Sequence, residues 1–139
     1  MKKDTLLAEI FTDGIKNRSR ADGVIINGAA FVSSLKSGKI YREDLKKVIQ
    51  DEKFYYVYLT GKEIVAILEN EKAFEYNSEW YPNMAGITVE SDGNKVKNIR
   101  INGFPIDIYA KYRIAVNGYI ISGNGIYSGI ENKDKEAFL

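Results

Sequence analysis

Six consecutive residues, Leu59-Thr60-Gly61-Lys62-Glu63-Ile64, constrain this fold more than any others. Thr60 with Glu63 three residues on has the form of a capping box, in which each side chain satisfies a backbone N–H of the other. Leu59 before the cap and Ile64 at the fourth helical position supply the matching hydrophobic staple. Upstream, Phe54-Tyr55-Tyr56-Val57-Tyr58-Leu59 is aromatic and β-branched throughout, which reads as a strand. A strand therefore passes into a helix with no loop between them, and both bury against one core. The helix is expected to run to about Glu71, with Ile64, Ile67 and Leu68 inward. An aromatic strand can also stack nucleobases. No lysine or arginine is interleaved through this one, so packing in a sheet is the reading.

A second constraint is Ala21-Asp22-Gly23-Val24-Ile25-Ile26-Asn27-Gly28. Three β-branched residues between turn formers predict a short buried strand. Asn-Gly ends it, because both residues tolerate positive φ. Ligands of α/β folds commonly sit just past the carboxyl end of such a strand. Before it, Leu6, Leu7, Ile10, Phe11 and Ile15 recur at helical spacing from Asp4 to about Ser19. Asp4 or Thr5 is placed to cap this helix, and Lys16, Arg18 and Arg20 suit its carboxyl end. After Asn27 a loop runs to a turn at Gly38. Tyr41 to Ile49 then reads as a short helix, with Leu45, Val48 and Ile49 inward and Glu43 and Asp44 in its first turn. Asp51-Glu52-Lys53 is a polar break.

Beyond the capped helix, Phe74 to Met84 is expected to be irregular, with Tyr76, Trp80, Tyr81 and Pro82. Ala85 to Glu90 reads as a strand, Asp92-Gly93-Asn94 as a hairpin turn, and Val96 to Ile101 as the partner strand. Asn102-Gly103 turns again into Phe104-Pro105-Ile106-Asp107. Tyr112 to Val116 is a further strand ending at Asn117-Gly118. Then comes Tyr119-Ile120-Ile121-Ser122-Gly123-Asn124-Gly125-Ile126-Tyr127. Its glycines lack the Gly-Lys-Ser/Thr of a phosphate loop. Residues 132–139 form a charged tail outside an ordered core of about 4–131. The chain is thus expected to be a single α+β domain over 1–139, a mixed sheet with helices packed on it.

Composition removes several functions. Lys+Arg number 20 and Asp+Glu 19, a net charge of +1 that gives no electrostatic footprint for nucleic acid. There is no cysteine and no histidine. Disulfides, thiolate metal sites, the commonest general base and the commonest zinc ligand are all absent. No run approaches the roughly 18 apolar residues of a membrane span. No long apolar stretch follows Met1-Lys2-Lys3-Asp4, so no signal peptide is expected; the compartment stays open.

In order and spacing these segments resemble the C-terminal domain of the 5'-nucleotidase / UDP-sugar hydrolase family. The signs are Ala21-Asp22 before a strand ending at Asn27, Gly38-x-Ile40 leading into a helix, Leu59-Thr60-Gly61-Lys62-Glu63, and Ala85-Gly86-Ile87. To these are added Ile101-Asn102-Gly103-Phe104-Pro105-Ile106-Asp107, Tyr112-Arg113-Ile114-Ala115-Val116, and Gly123-Asn124-Gly125-Ile126-Tyr127. The resemblance implies an α+β domain that clamps the base and sugar of a nucleotide against a separate two-metal phosphoesterase domain.

It also implies a partly degenerate site. Where the family has a substrate-contacting arginine, this chain has Val32. Where the family has Pro-Phe-x-Asn, whose Phe stacks on the base, it has Ile49, Gln50, Asp51 and Glu52. The second stacking ring is kept as Tyr119. Asn124 replaces a ribose-binding acid. The candidate ligand residues are Tyr119, Asn124, Gly86, Asn27, Gly123 and Gly125, expected to border one shallow cleft. No catalytic residue, metal or cofactor is assigned to this chain, because the family's metals belong to the other domain. The expected partners are a weakly bound nucleotide or nucleoside and a metallophosphatase domain in cis or trans, with no nucleic acid and no membrane. The alternative is a non-catalytic scaffold or protein-interaction module meeting its partner around Trp80.

Overall fold

The computed structural model describes residues 6–27, 53–74, 81–92 and 95–137, with backbone alone for 6–11. The expected cap of the first helix, the loop after Asn27, the helix over 41–49 and Trp80 lie outside the described residues.

Nearly every expected strand and helix in the described residues is present. Helix α1 (Leu6–Arg18) carries Lys16 and Arg18 in its last turn. Strand β1 (Gly23–Asn27) is buried along its whole length. The aromatic strand β2 (Phe54–Thr60) runs straight into α2 (Gly61–Leu68), which stops short of the expected Glu71. Then follow β3 (Pro82–Ala85), β4 (Ile87–Asp92), β5 (Lys95–Ile101), β6 (Phe104–Pro105), β7 (Lys111–Asn117) and α3 (Gly118–Ile121). Two 3-10 turns, Gly125–Tyr127 and Ile130–Asn132, lead to β8 (Lys135–Ala137).

The strands form two sheets. The larger has the order β3-β1-β7-β2-β8 and the smaller β4-β5-β6. β1 and β7 are parallel, with Gly23 beside Ile114 and Ile25 beside Val116. Every other pairing among the described strands is antiparallel. The sheet is therefore mixed, as expected. Alternation sends Ile25, Val57, Leu59, Ile114 and Val116 into one cluster with Ile64, Leu68, Ile120, Tyr127 and the smaller sheet's Ile87, Ile99 and Ile101. α1 packs on β1 and β3. Its buried Ile15 lies outside that cluster, so α1 takes the opposite face, which Val24 and Ile26 fill.

The junction of β2 and α2 follows the sequence. Thr60 is the N-cap, with φ −71° and ψ 158°. Its Oγ1 accepts from the Glu63 N–H at 3.2 Å, and Glu63 Oε1 accepts from the Thr60 N–H at 2.9 Å. Leu59 and Ile64 are fully buried in the same cluster. The second oxygen of Glu63 meets Lys133 Nζ at 2.6 Å, tying the carboxyl-terminal segment to the helix cap.

Three expectations are corrected. The stretch read as irregular through Met84 ends in a strand, Pro82–Ala85, because its backbone pairs with β1. The single strand read over Ala85 to Glu90 is broken at Gly86. There φ is +76°, and a side-chain carbon would come within 2.8 Å of the Asp22 carbonyl oxygen. The chain leaves the large sheet at this residue and enters the small one. The charged tail is not all peripheral: Lys135, Glu136 and Ala137 pair with Val57, Tyr56 and Tyr55.

Two outcomes follow. Thr60→Ala removes an N-cap and should cost about 1 kcal/mol in urea unfolding, while a loss near zero would deny the cap its role. Burial raises the Glu63 pKa, but Lys133 and the Thr60 N–H outweigh burial and leave it lowered. A lowered folded pKa gives stability that is present above the unfolded-state value and lost as pH falls through the folded one. Glu63→Gln should therefore flatten the acid limb of a stability–pH profile. An unchanged slope would contradict the linkage.

Candidate functional site

Two buried asparagines close the carboxyl ends of the parallel strands. Asn27 and Asn117 are both completely inaccessible. Asn117 Nδ2 donates to Asn27 Oδ1, and the Asn27 N–H donates to Asn117 Oδ1 at 3.5 Å. Asn83 lies alongside on β3, opposite Ile26, and its Nδ2 donates to the Ile26 carbonyl at 3.1 Å. Buried amides need such partners, because an unpaired polar group in an apolar interior is costly. The row therefore fixes where β1 and β7 end relative to each other.

Directly past that point Gly118 opens α3. Ile120 and Ile121 turn into the core, while Tyr119 is half-buried. The chain then reverses through Ser122, Gly123 and Asn124, with Gly123 at φ +78° and Gly125 at +57°. Asn124 is exposed, and its Nδ2 donates to the Tyr119 carbonyl at 3.0 Å, pinning the glycine loop to α3. Tyr127 is buried beneath the loop. Burial, and then neighbouring Tyr119, push its phenol pKa far up, so it is neutral and structural at any physiological pH. An open cleft of about 610 Å³ lies beside the loop, lined by Glu69, Asn70, Glu71, Lys72, Gly125 and Ile126.

The expected site residues are thus divided. Asn27, Tyr119, Gly123, Asn124 and Gly125 belong to one end of the large sheet. Gly86 does not. Val24 pairs with Ala85 and Asn27 with Pro82, so Gly86 lies past the amino end of β1. That is about 13 Å from Asn27 at the rise of a strand. Its positive φ serves the crossing between sheets, and it stands apart from the other expected residues. Val32, Ile49, Gln50, Asp51 and Glu52 lie outside the described residues. Two further residues meet the expected ones at this end of the sheet, Asn117 and Glu131. Asn117 holds Asn27, and Glu131 packs its carboxylate against Gly123. Asn117 carried a signal as an asparagine ending a strand, whereas Glu131 carried none. Among the described residues no group of three or more His, Cys, Asp or Glu is placed to hold a metal ion.

This architecture, a mixed sheet with helices on both faces, is that of a small α+β domain. The family model for the 5'-nucleotidase C-terminal domain matches residues 1–131, and the chain belongs to that family. It is 27% identical over 118 residues to protein UshA of Escherichia coli strain K12, covering 84% of this chain and 22% of that protein. It is 26% identical over 129 residues to the 5'-nucleotidase of Vibrio cholerae serotype O1, covering 92% of this chain and 23% of that protein. The chain thus spans under a quarter of these relatives. Its fold resembles that of a 5'-nucleotidase precursor from Thermus thermophilus, with a TM-score of 0.71 at 22% identity, covering 95% of this chain and 29% of that one. A putative 5'-nucleotidase from Staphylococcus aureus, solved with alpha-ketoglutarate, also gives 0.71, at 15% identity over 94% of this chain and 30% of its own.

The asparagine pair is open to test. Asn117→Ala removes both hydrogen bonds to Asn27 and should cost about 1–3 kcal/mol in urea unfolding. Amide exchange at Asn27 should accelerate with it. A loss below about 0.5 kcal/mol would mean that the pair does not hold the strand ends together.

Proposed function

We propose that this chain is the nucleotide-recognition domain of a 5'-nucleotidase-type hydrolase, with a partly degenerate site. The observation that carries the reading is the handover from β7 to α3. A buried, bonded Asn117 sets the start of α3, which carries the half-buried Tyr119, and a loop with positive φ at Gly123 and Gly125 follows directly. An aromatic ring on a rigid support can stack a base, at roughly 1–3 kcal/mol per base. The second ring and the arginine that the family resemblance leads one to look for are replaced in this sequence by Gln50 and Val32. Binding then rests on one ring and on hydrogen bonds. Two-metal phosphoester hydrolysis needs clustered metal ligands. The sequence has neither histidine nor cysteine, so turnover falls to a separate metallophosphatase domain in cis or trans.

One observation favours the second reading, a protein-interaction module. Phe104, Ile108 and Tyr109 are 74%, 43% and 86% exposed, and all three fall in the short segment of chain just before β7. Exposed apolar side chains grouped this way mark contact surfaces. They lie at the end of the large sheet away from Tyr119, so such a surface is compatible with the recognition site.

Titration of the isotope-labelled chain with adenosine and AMP tests the recognition reading. The dissociation constant should be on the order of millimolar, about 4 kcal/mol. Shifts should centre on Tyr119, Asn124 and Gly125, and salt should change the affinity little. Tyr119→Ala should abolish binding. Shifts confined to the Phe104–Tyr109 segment, or none at several millimolar ligand, would leave the interaction module as the better reading.

A further inference from the structure

At the amino end of β7 the large sheet holds an arginine whose charge no carboxylate meets among the described residues. Strand alternation puts Tyr56 and Tyr58 of β2 and Lys111 and Arg113 of β7 on the face opposite the main core, with Tyr58 beside Arg113 and Thr60 beside Lys111. Tyr58 is 50% exposed there. The Arg113 guanidinium is firmly held. Its carbon lies 5.2 Å from the centre of the Tyr56 ring and 5.5 Å from that of Tyr58. Its Nε and Nη2 both donate to the Tyr58 hydroxyl, at 3.0 and 2.7 Å. The Tyr56 hydroxyl in turn accepts from the Arg20 N–H at 3.0 Å. Asp22 Oδ2 accepts from the Arg113 backbone N–H at 2.8 Å, so that carboxylate serves the main chain. Glu136, opposite Tyr56 on β8, makes no ion pair with the guanidinium.

A guanidinium has five N–H donors. Here one phenolic oxygen occupies the Nε–Nη2 edge. The Nη1–Nη2 edge keeps its two parallel N–H groups, the fork that receives both oxygens of a carboxylate. A cation stacked on two rings is weakly hydrated and already oriented, which lowers the cost of taking a partner. Lys111, two residues earlier on the same face, is exposed and also without a partner among the described residues. With Tyr58, Asn132, Lys133 and Asp134 it lines an open cleft of about 530 Å³. Lys133 already pairs with Glu63. The half-exposed Tyr58 ring gives this cleft an aromatic wall, so the anion that suits it carries a planar apolar body.

We propose that Arg113, oriented by Tyr56 and Tyr58, binds the carboxylate of a small aromatic acid whose ring lies against Tyr58. Tyr119 follows the other end of β7, so failure at one place leaves the other untouched. The test titrates the full chain with benzoate, with benzamide as its neutral isostere and with inorganic phosphate, and follows the Arg113 Nε–H and Tyr58 signals by NMR. Benzoate should saturate in the millimolar range and bind roughly tenfold more tightly than benzamide, the contribution of about one charge-assisted pair. Phosphate, which has no ring, should bind more weakly than benzoate. Arg113→Lys keeps the charge but removes the fork, and should lose most of the preference while amide shifts elsewhere stay in place. Equal binding of benzoate and benzamide, phosphate as tight as benzoate, an undiminished preference in Arg113→Lys, or no saturation at tens of millimolar would each overturn the proposal and leave Arg113 a packing residue of the sheet face. The comparison of probes on wild type decides the matter even where the variant does not fold.

Discussion

The bonds between Asn27 and Asn117 tie together the ends of β1 and β7, the parallel pair among the described strands. Parallel strands have no turn to fix their relative ends. Here two buried carboxamides do so, and burial makes the arrangement costly to change. β7 is also the central strand, flanked by β1 and β2. Fixing its end fixes the start of α3, and with it the position of Tyr119. The order of causes runs from a polar pair in an apolar interior, to a strand end, to the place in the chain where a half-buried tyrosine stands.

The glycine loop is held from both sides by the same core. On one side Ile120 and Ile121 anchor α3, and on the other Tyr127 and Ile130 anchor the two 3-10 turns. The segment after them is tied by Lys133 to Glu63 and by β8 to β2. Between these anchors the loop is held by the Asn124 carboxamide on the Tyr119 carbonyl and by the Glu131 carboxylate against Gly123. A site supported in this way loses less freedom on binding than a loose one.

Legibility in the sequence followed the range of the interactions. The capping box and staple were readable because their partners lie within one turn. Asn102 and Gly103, at φ 51° and 85°, form the turn that their identities announce. Strand β3 was hidden because Pro82 and Asn83 are poor strand formers, and only pairing with β1 makes them one. Gly86 hid it further, since its positive φ falls inside a run that reads as a single strand. β8 has no apolar alternation at all and exists through the free edge of β2. Two placements at the candidate site were hidden in the same way. Which end of β1 Gly86 occupies, and that Glu131 returns to Gly123, are matters of register and turn geometry that residue order does not encode.

The most direct test of the account is a crystal of the chain soaked in adenosine at high millimolar concentration. The account predicts density for a base stacked on Tyr119, with its sugar toward the Gly123–Gly125 loop. Density on another surface, or an unoccupied loop in a lattice that leaves it open, would contradict it.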